Sequence, residues 1–494
     1  DLIWEEDFSR GFQGWSANPL ICGSNAGATY GNISGTDFGV WNLQSGTVDG
    51  TAIDYAGLGV SAQWTFINSS EYQFILDSDA GSVYATVYGS YSIDDNDVMT
   101  SSVDPDVMLS GLEFSEATAG GLVEWATVAE LPAGDVTDLV KLHIGVGSPT
   151  VVLTDGGNTL TYTIADGGSE YVFTYTKSSE CGTLWVWSPN GNLGSGAFGF
   201  EAPGAAFVDS DTRTNGTMVM RNIFYMFEGD AANIPAPNPP PYPHYASELI
   251  SPPIDISAAD RALSLSLTEF FAYLNTPTEA PDGLKTSFAV SSDDGATWSP
   301  AVDLNPNFPT NTFRDATVTV PIPAVYTDGA DEIRIKITFA TDYYFIGIDD
   351  ISIQERIGYD VQANENFFAI PDNVNTPWSQ LQPQFFMADV QNNGGLTADN
   401  VQLNLTINKD DTGEEVYNMT KNYGNLGPDS LAENDFFDTT MPLDLPSDPS
   451  SLGTYSGQYT IFHDSMDVIT NNDTLNFAFE VTDSLFAKET GRTR

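Results

Sequence analysis

Tyr344-Phe-Ile-Gly-Ile-Asp-Asp-Ile-Ser-Ile353 is the stretch that decides the fold, because apolar residues alternate in it around two adjacent carboxylates. Alternation with period two is typical of a β-strand with one buried face. A second stretch, Ala246-Ser-Glu-Leu-Ile-Ser-Pro-Pro-Ile-Asp-Ile-Ser257, has two prolines one residue after its first apolar run. Proline has no amide hydrogen to donate, so this pair ends a hydrogen-bonded ladder. The two stretches predict strands of a β-sandwich.

The same alternation recurs along the chain. It is found at residues 263–273, 316–322, 332–339 and 401–407. No long stretch has the 3.6-residue period of an amphipathic helix. Short alternating runs separated by Gly, Asn, Asp and Pro are typical of antiparallel sandwiches, in which one face of each sheet meets solvent. The sequence therefore predicts an all-β protein.

Length and charge limit the kinds of protein and partner. A chain of 494 residues has room for about three domains. It carries 68 acidic and 16 basic residues, a formal charge of −52. This balance argues against nucleic acid and anionic membranes, because both are bound by clustered Lys and Arg. No run of about 18 apolar residues is present, so no membrane insertion is expected. The many negative charges repel one another, and this repulsion is tolerable where salt screens it, which favours an extracellular setting.

Composition shifts divide the chain into three parts. A new alternating series begins after Gln354-Glu-Arg-Ile-Gly358, which predicts a separate domain at 356–494. Residues 51–176 hold their own set of strands, including an Asp-Gly-Gly-Asn hairpin signal at 155–158. We interpret them as an inserted β domain within a sandwich made of 1–50 plus 177–355. The proline-rich stretch at 235–243 is either a long surface loop or a linker.

The chain has two cysteines, Cys22 and Cys181, which flank the predicted insertion. Neither has the spacing of a metal ligand pair. They are either two unrelated thiols or one disulfide that closes the insertion, and the flanking positions favour the disulfide. Closing so long a loop is worth about 4–5 kcal/mol in the chain-entropy model.

The quoted residues resemble the MAM-type or cleaved-adhesin-type jelly roll of secreted Bacteroidetes proteins. The opening Glu6-Asp7-Phe8-Ser9, followed by Gly14-Trp15, is similar to the first strand of that module. Phe288–Trp298 is similar to its central hairpin, and Gly347–Ile353 to its closing strand. The resemblance implies a jelly-roll sandwich, but it does not extend over the insertion.

Residues 359–485 resemble a CARDB-like, immunoglobulin-type module. The resemblance rests on Phe386-Met-Ala-Asp-Val-Gln-Asn-Asn-Gly-Gly-Leu396, on Asn404-Leu-Thr-Ile407 and on Asn476-Phe-Ala-Phe-Glu-Val481. It implies an immunoglobulin-like β-sandwich. Proteins with this layout are commonly exported by the type IX route, which implies the secretion machinery as a partner and an extracellular or cell-surface location.

Five short motifs of Asp, then Ser or Thr, then an apolar residue or Thr resemble the Bacteroidetes O-glycosylation signal. All begin at or after Asp429. The resemblance implies the following acceptors: Ser430, Thr439, Ser465, Thr474 and Ser484. In a chain so rich in Asp, chance matches are the alternative.

Calcium is the cofactor that the acidic residues suggest. It takes six to eight oxygen ligands from carboxylates and carbonyls. In the jelly rolls that the chain resembles, a calcium ion joins the first strand to the last, which implies Glu6, Asp7, Asp349 and Asp350 as ligands here. Adjacent strand residues point to opposite faces, so Asp350 is the better ligand of the adjacent pair. The alternative is a set of solvated carboxylates.

No motif indicates catalysis. The three histidines, His143, His244 and His463, lie far apart, and we interpret each as a surface or loop residue. Neither a zinc-hydrolase spacing nor a G-x-S-x-G elbow occurs. Ser291-Ser-Asp-Asp-Gly-Ala-Thr-Trp298 has the Asp-box pattern of sialidases, but it occurs once, so we interpret it as a structural hairpin turn. Trp185 and Trp187 share one strand face, either to stack on sugars or as core.

We therefore predict a secreted or cell-surface binding and adhesion protein, without catalysis of its own, that recognises an extracellular glycan or surface protein. The alternatives are the accessory region of a larger secreted peptidase or glycosidase, and a structural subunit of a surface filament or motility apparatus.

Overall fold

The structure, a computed structural model, describes most of the chain. The described residues are 1–8, 14–21, 29–30, 33–34, 40–55, 60–66, 71–78, 83–93, 98–103, 108–113, 122–123, 150–155, 158–179, 185–188, 217–221, 245–272, 285–306, 313–341, 345–368, 371, 373–433 and 441–487. They form antiparallel sheets almost throughout, so the all-β prediction is confirmed. Their only helical pieces are short 3₁₀ turns at Ala324–Tyr326, Trp378–Gln380, Pro449–Ser451 and Thr470–Asn472.

Two six-stranded sheets form a sandwich from the two ends of the first 355 residues. The first sheet contains β1 (Leu2–Glu6), β16 (Trp185–Ser188), β17 (Thr217–Arg221), β20 (Leu263–Ala272), β23 (Phe313–Pro321) and β25 (Phe345–Glu355). The second contains β2 (Ser16–Ile21), β18 (Tyr245–Ile250), β19 (Ile254–Asp255), β21 (Thr286–Ser291), β22 (Val302–Asp303) and β24 (Glu332–Thr341). Their facing apolar side chains form the core.

A separate sheet is built from residues between the strands of the sandwich. Its strands are β5 (Val40–Val48), β6 (Thr51–Ile53), β7 (Val60–Phe66), β8 (Glu71–Ser78), β9 (Val83–Ile93), β10 (Val98–Val103), β11 (Met108–Glu113), β12 (Leu122–Val123), β13 (Thr150–Thr154), β14 (Thr159–Asp166) and β15 (Ser169–Ser179). A small hairpin, β3 (Thr29–Tyr30) with β4 (Ile33–Ser34), precedes it. The sheet begins at Val40, ahead of residue 51, where the insertion is predicted to start.

The pairings of this sheet close on themselves. β10 pairs with β13 on one side and with β9 on the other, so the eight strands β5, β7–β10 and β13–β15 form a ring. Trp41, Trp64 and Tyr175 are buried within it. The predicted hairpin at 155–158 joins β13 to β14 with Thr154 opposite Thr159. Closure leaves these eight strands with no unpaired edge, which would otherwise favour aggregation.

The C-terminal module is a second sandwich. One sheet contains β26 (Val361–Phe368), β28 (Ala388–Asn392) and β31 (Leu431–Ala432). The other contains β27 (Asn375–Pro377), β29 (Ala398–Lys409), β30 (Glu414–Leu426), β32 (Gly453–Phe462) and β33 (Thr474–Thr482), with β27 and β33 parallel. In β29, Leu403, Leu405 and Ile407 are buried on alternate positions, as the sequence pattern predicts.

Arg356 joins the first sandwich to the C-terminal module. Its Nε donates to the carbonyl of Leu263 at 2.9 Å and its Nη2 to that of Ile322 at 2.6 Å. The same guanidinium forms a two-pronged ion pair with Asp429, with Nη1–Oδ1 at 2.6 Å and Nη2–Oδ2 at 3.2 Å. The amide of Ala324 also donates to Asp429. The junction is therefore fixed by hydrogen bonds on both sides of one buried cation.

Candidate functional site

The predicted calcium ligands are brought to one region of the first sheet. β1 pairs antiparallel with β25, with Leu2 opposite Gln354 and Glu6 opposite Ile351. The chain opening and the Asp-Asp segment are therefore neighbours in one sheet. The pairing ends at Glu6, directly before Asp7, and at Ile351, directly after Asp350.

A β-bulge lies at the two adjacent carboxylates. Between Asp349 and Ser352, β25 has one residue more than β20 has in the opposing stretch. Asp350 has φ of 49°, in the left-handed region, and its amide donates to Asp349 Oδ1 at 2.8 Å. The extra residue lets Ile348 and Ile351 both face the core although they are three positions apart. The carboxyl of Asp349, on the outer face beside Ile348, is nevertheless fully buried.

Glu6 has a different environment from Asp349. It lies opposite Ile351, so its side chain is on the core side of the sheet, where it is buried. Glu6 Oε1 accepts from the amide of Phe8 at 2.9 Å, and Oε2 accepts from the indole of Trp15 at 3.3 Å. These bonds stabilise the turn after β1, in which Phe8 has φ of 49°.

The four predicted ligands have different surroundings in the sheet. Glu6 and Asp349 lie on opposite faces of the sheet, and Asp7 is exposed. Among the described residues, no group of three or more His, Cys, Asp or Glu side chains has an arrangement that holds a metal ion. Calcium therefore stays a prediction, and Glu6 has a structural role independent of it.

The Asp-box segment forms a hairpin turn, as predicted. Asp293 Oδ1 accepts from the amide of Thr297 at 2.8 Å, and Oδ2 accepts from its hydroxyl at 2.6 Å. Ser291 Oγ donates to Asp293 and accepts from the amide of Gly295. The Thr297 bonds, followed by that of Ser291, lower the pKa of Asp293 to about 2. Nearby, Lys336 Nζ lies over the ring of Trp298, 4.6 Å from the ring centroid.

The paired tryptophans are core residues. Trp185 and Trp187 are fully buried, so neither presents a ring to solvent. Trp187 donates its indole hydrogen to the carbonyl of Phe8 at 2.8 Å, which ties β16 to the turn after β1.

Some predicted residues lie outside the described part of the chain. These are Cys22, Cys181, Thr439, His143 and His244. The disulfide stays a prediction.

The other predicted glycosylation acceptors have distinct surroundings. Ser484 is exposed. Ser430 follows Asp429, whose carboxylate is held by Arg356, and the Ser430 carbonyl accepts from the amide of Asn392. Thr474 is the first residue of β33 and is partly buried, as is Ser465. Ser484 is therefore the most accessible of the four.

The 462–473 segment, which connects β32 to β33, presents apolar side chains to solvent. Met466 is 85% exposed and Val468 59% exposed. Phe462 and Ile469 are also exposed. Contiguous exposed apolar residues on one segment indicate a contact surface more often than isolated ones do.

The inner side of the same segment is polar and tightly held. Asp467 Oδ2 accepts from the amide of Val361 at 2.9 Å and lies 3.1 Å from His463 Nε2. Asp467 Oδ1 accepts from the amide of Ile469 at 2.9 Å. The amide of Val468 donates to the carbonyl of Tyr359 at 3.0 Å. The segment is thus attached to the first residues of the C-terminal module.

Sequence reasoning missed this site. His463 was interpreted as a surface or loop residue; it is a loop residue, but its side chain is only 4% exposed, which the sequence did not indicate. The only signal was the run Phe462-His-Asp-Ser-Met-Asp-Val-Ile469, in which apolar and acidic residues mix between two predicted strands.

No protein-family model matches the chain, and no curated protein does. Among solved structures, a CARDB domain from Pyrococcus furiosus, in complex with di-metal ions, is 18% identical over 26% of this chain and 93% of that one, with a TM-score of 0.19. The K1 cleaved adhesin domain of Lys-gingipain from Porphyromonas gingivalis is 16% identical over 34% and 82%, with a TM-score of 0.17. A calcium binding mutant of Bacteroides uniformis beta-glucuronidase 2 is 12% identical over 48% and 26%, with a TM-score of 0.18. Scores this low carry no argument about function.

In the described part of the chain, no helix is both long and apolar enough to cross a membrane.

Proposed function

We propose that this chain is an extracellular, non-catalytic binding protein that attaches to a surface protein through the outer face of the 462–473 segment. The observation that carries the proposal is the exposed apolar group Met466, Val468 and Ile469 on a segment whose inner side is hydrogen-bonded in place. A fixed apolar surface loses less conformational entropy on binding than a mobile loop does.

The side chains of this surface favour a protein partner over a glycan. Sugars are bound by stacking on exposed aromatic rings, whereas Phe462 is the single aromatic residue among the four exposed apolar side chains of this segment, the others being Met466, Val468 and Ile469. Asp399 and Asp464 are exposed and bonded to each other through their backbones. The partner would therefore present an apolar centre with basic residues around it, which also matches the overall charge of −52.

The proposal is tested by binding of the purified chain to intact producing cells, followed by cross-linking and an affinity measurement on the captured protein. Burying Met466 and Val468 contributes about 1.5–3 kcal/mol each, so M466S/V468S should weaken binding at least tenfold. Leu485→Ser is the matched control, since Leu485 is 58% exposed beyond the opposite end of β33. Equal affinities of M466S/V468S and the unmodified chain would contradict the proposal.

Calcium and glycosylation are further parts of the proposed extracellular function. The contact surface does not depend on calcium, and Ser465 is the one predicted acceptor that lies within its segment. Melting with and without chelator tests the ion, and mass spectrometry of the native protein tests the acceptors.

A further inference from the structure

Four ionisable side chains meet where the 462–473 segment contacts the start of the C-terminal module. Asp360 precedes β26, and His463, Asp467 and Asp473 belong to the segment. Asn472 Nδ2 donates to Asp360 Oδ1 at 2.8 Å, which joins the two parts again. The ring of Tyr359 lies against that of His463, with centroids 6.0 Å apart. We call Asp360, His463, Asp467 and Asp473 the acid cluster.

The hydrogen bonds of the acid cluster indicate the tautomer of His463. His463 Nδ1 accepts from the amide of Ser465 at 3.3 Å, so Nε2 carries the hydrogen and donates to Asp467. Asp467 accepts from Val361, Ile469 and His463, an arrangement that suits an ionised carboxylate. A second proton on His463 would remove the bond from Ser465.

The acid cluster has too few hydrogens for its acceptors. Within the described residues, Asp473 Oδ1 and Asn472 Oδ1 are buried oxygen atoms without a hydrogen-bond donor. Buried acceptors of this kind are costly, and a proton on Asp473 would remove a charge from beside Asp467 and Asp360. Burial, followed by the charge of Asp467, raises the pKa of Asp473 to about 6, although His463 opposes the shift. Burial also raises the pKa of Asp360.

We propose that proton uptake by the acid cluster in mildly acidic surroundings fastens the 462–473 segment to residues 359–361 and so strengthens the protein contact made by its outer face. The second half of this inference rests on the proposed function, and the first half does not. A proton on Asp473 would reinforce two bonds, because they hold the segment to those residues: Asp467 with Val361, and Val468 with Tyr359. The bond from Asn472 favours the ionised form of Asp360, so it is kept when the proton is taken up by Asp473.

The sign of the effect follows from the raised pKa of Asp473. A carboxyl that binds its proton more tightly in the folded state contributes stability that is complete below the unfolded pKa of about 4 and is lost as pH rises through about 6. The C-terminal module should therefore gain stability as pH falls from 7.5 to 5.5. Acidification also reduces the repulsion of a highly acidic chain, so the test must separate the two contributions.

Calorimetry of the full chain at pH 7.5 and 5.5 makes that separation. D473N has the shape of the protonated residue, and Asp464→Asn removes one negative charge from the exposed side of the same segment. The unmodified chain and D464N should both melt roughly 2–6 °C higher at pH 5.5 in the C-terminal transition. D473N should lose at least half of that difference in melting temperature, and its melting temperature should already be raised at pH 7.5. An equal pH shift in D473N and D464N would overturn the proposal.

Hydrogen exchange gives a local measurement. Protection of the amides of Val361, Val468 and Ile469 should rise on acidification, after correction for intrinsic exchange rates, in the unmodified chain but not in D473N. Affinity for the captured partner should be at least threefold higher at pH 5.5 than at 7.5, and independent of pH in D473N. Unchanged binding by M466S/V468S refutes the proposed function, whereas unchanged protection in the unmodified chain refutes the proton-dependent attachment.

Discussion

Replacing Arg356 by Ala should uncouple the C-terminal module from the first sandwich. The substitution removes four hydrogen bonds, which join the guanidinium to the carbonyls of Leu263 and Ile322 and to both carboxylate oxygens of Asp429. Removing one partner of a buried ion pair costs about 3–5 kcal/mol. Arg356 is 5% exposed but Asp429 is 34% exposed, so water can compensate part of the loss at the carboxylate. We expect a loss of about 2–3 kcal/mol.

A double-mutant cycle measures the pair itself. R356A, D429A and the double variant should give a coupling energy of about 1–2 kcal/mol by denaturant unfolding, and R356A should make the chain near residue 356 more sensitive to proteases. Arg334→Ala is the control, because its contact with Asp294 is also 2.6 Å long but the Asp294 side chain is 77% exposed. That variant also loses one hydrogen bond, from Arg334 Nη1 to the carbonyl of Ser251, so its expected loss is about 1 kcal/mol. A coupling energy for Arg356 and Asp429 below about 0.5 kcal/mol would refute the reasoning.

Three further substitutions test the other structural features. Glu6→Gln should lower the melting temperature equally with and without chelator, because Glu6 acts through Phe8 and Trp15; a loss that appears only with calcium present would show that it is a ligand. Asp293→Ala should destabilise the hairpin turn more at pH 6 than at pH 2. Because the folded state lowers the pKa of Asp293, its carboxylate contributes stability above about pH 4, and this stability is lost as pH falls through about 2. Identical losses at both pH values would contradict this. Gly457→Ala places a methyl group 2.2 Å from the Phe477 ring and should lower the free energy of unfolding in urea by about 1–3 kcal/mol. In the control Gly413→Ala the added carbon has nothing within 4 Å, so this variant tests only the positive φ of Gly413. Equal losses of unfolding free energy in the two variants would refute the steric argument.

Local pattern was sufficient for the strands. Alternation at 263–273, 332–339 and 401–407 predicted β20, β24 and β29, because a half-buried strand needs an apolar residue at every second position. The pairing of β1 with β25 followed from resemblance, since no local pattern relates residues so far apart in the sequence.

Alternation failed where the backbone departs from a regular strand. It predicted opposite faces for Asp349 and Asp350, but a bulge adds a residue there and Asp350 adopts a positive φ. A rule with period two cannot anticipate an extra residue.

Side-chain contacts between distant segments were also beyond the sequence. Asp429 was interpreted as part of a glycosylation motif, whereas its carboxylate holds Arg356, 73 positions earlier. The acid cluster likewise depends on how residues 359–361 and 462–473 are brought together. Such contacts are set by the packing of the elements and leave no mark on local composition.

The ring of eight strands leaves and rejoins the surrounding chain at a single place. Val40, its first residue, pairs with Ser179, its last, so the two ends lie on adjacent strands about 5 Å apart. A unit whose ends meet in this way can be exchanged for another without displacing its host. The first sandwich is therefore suited to accept a different inserted domain at this position, because the replacement has to connect only two adjacent chain ends.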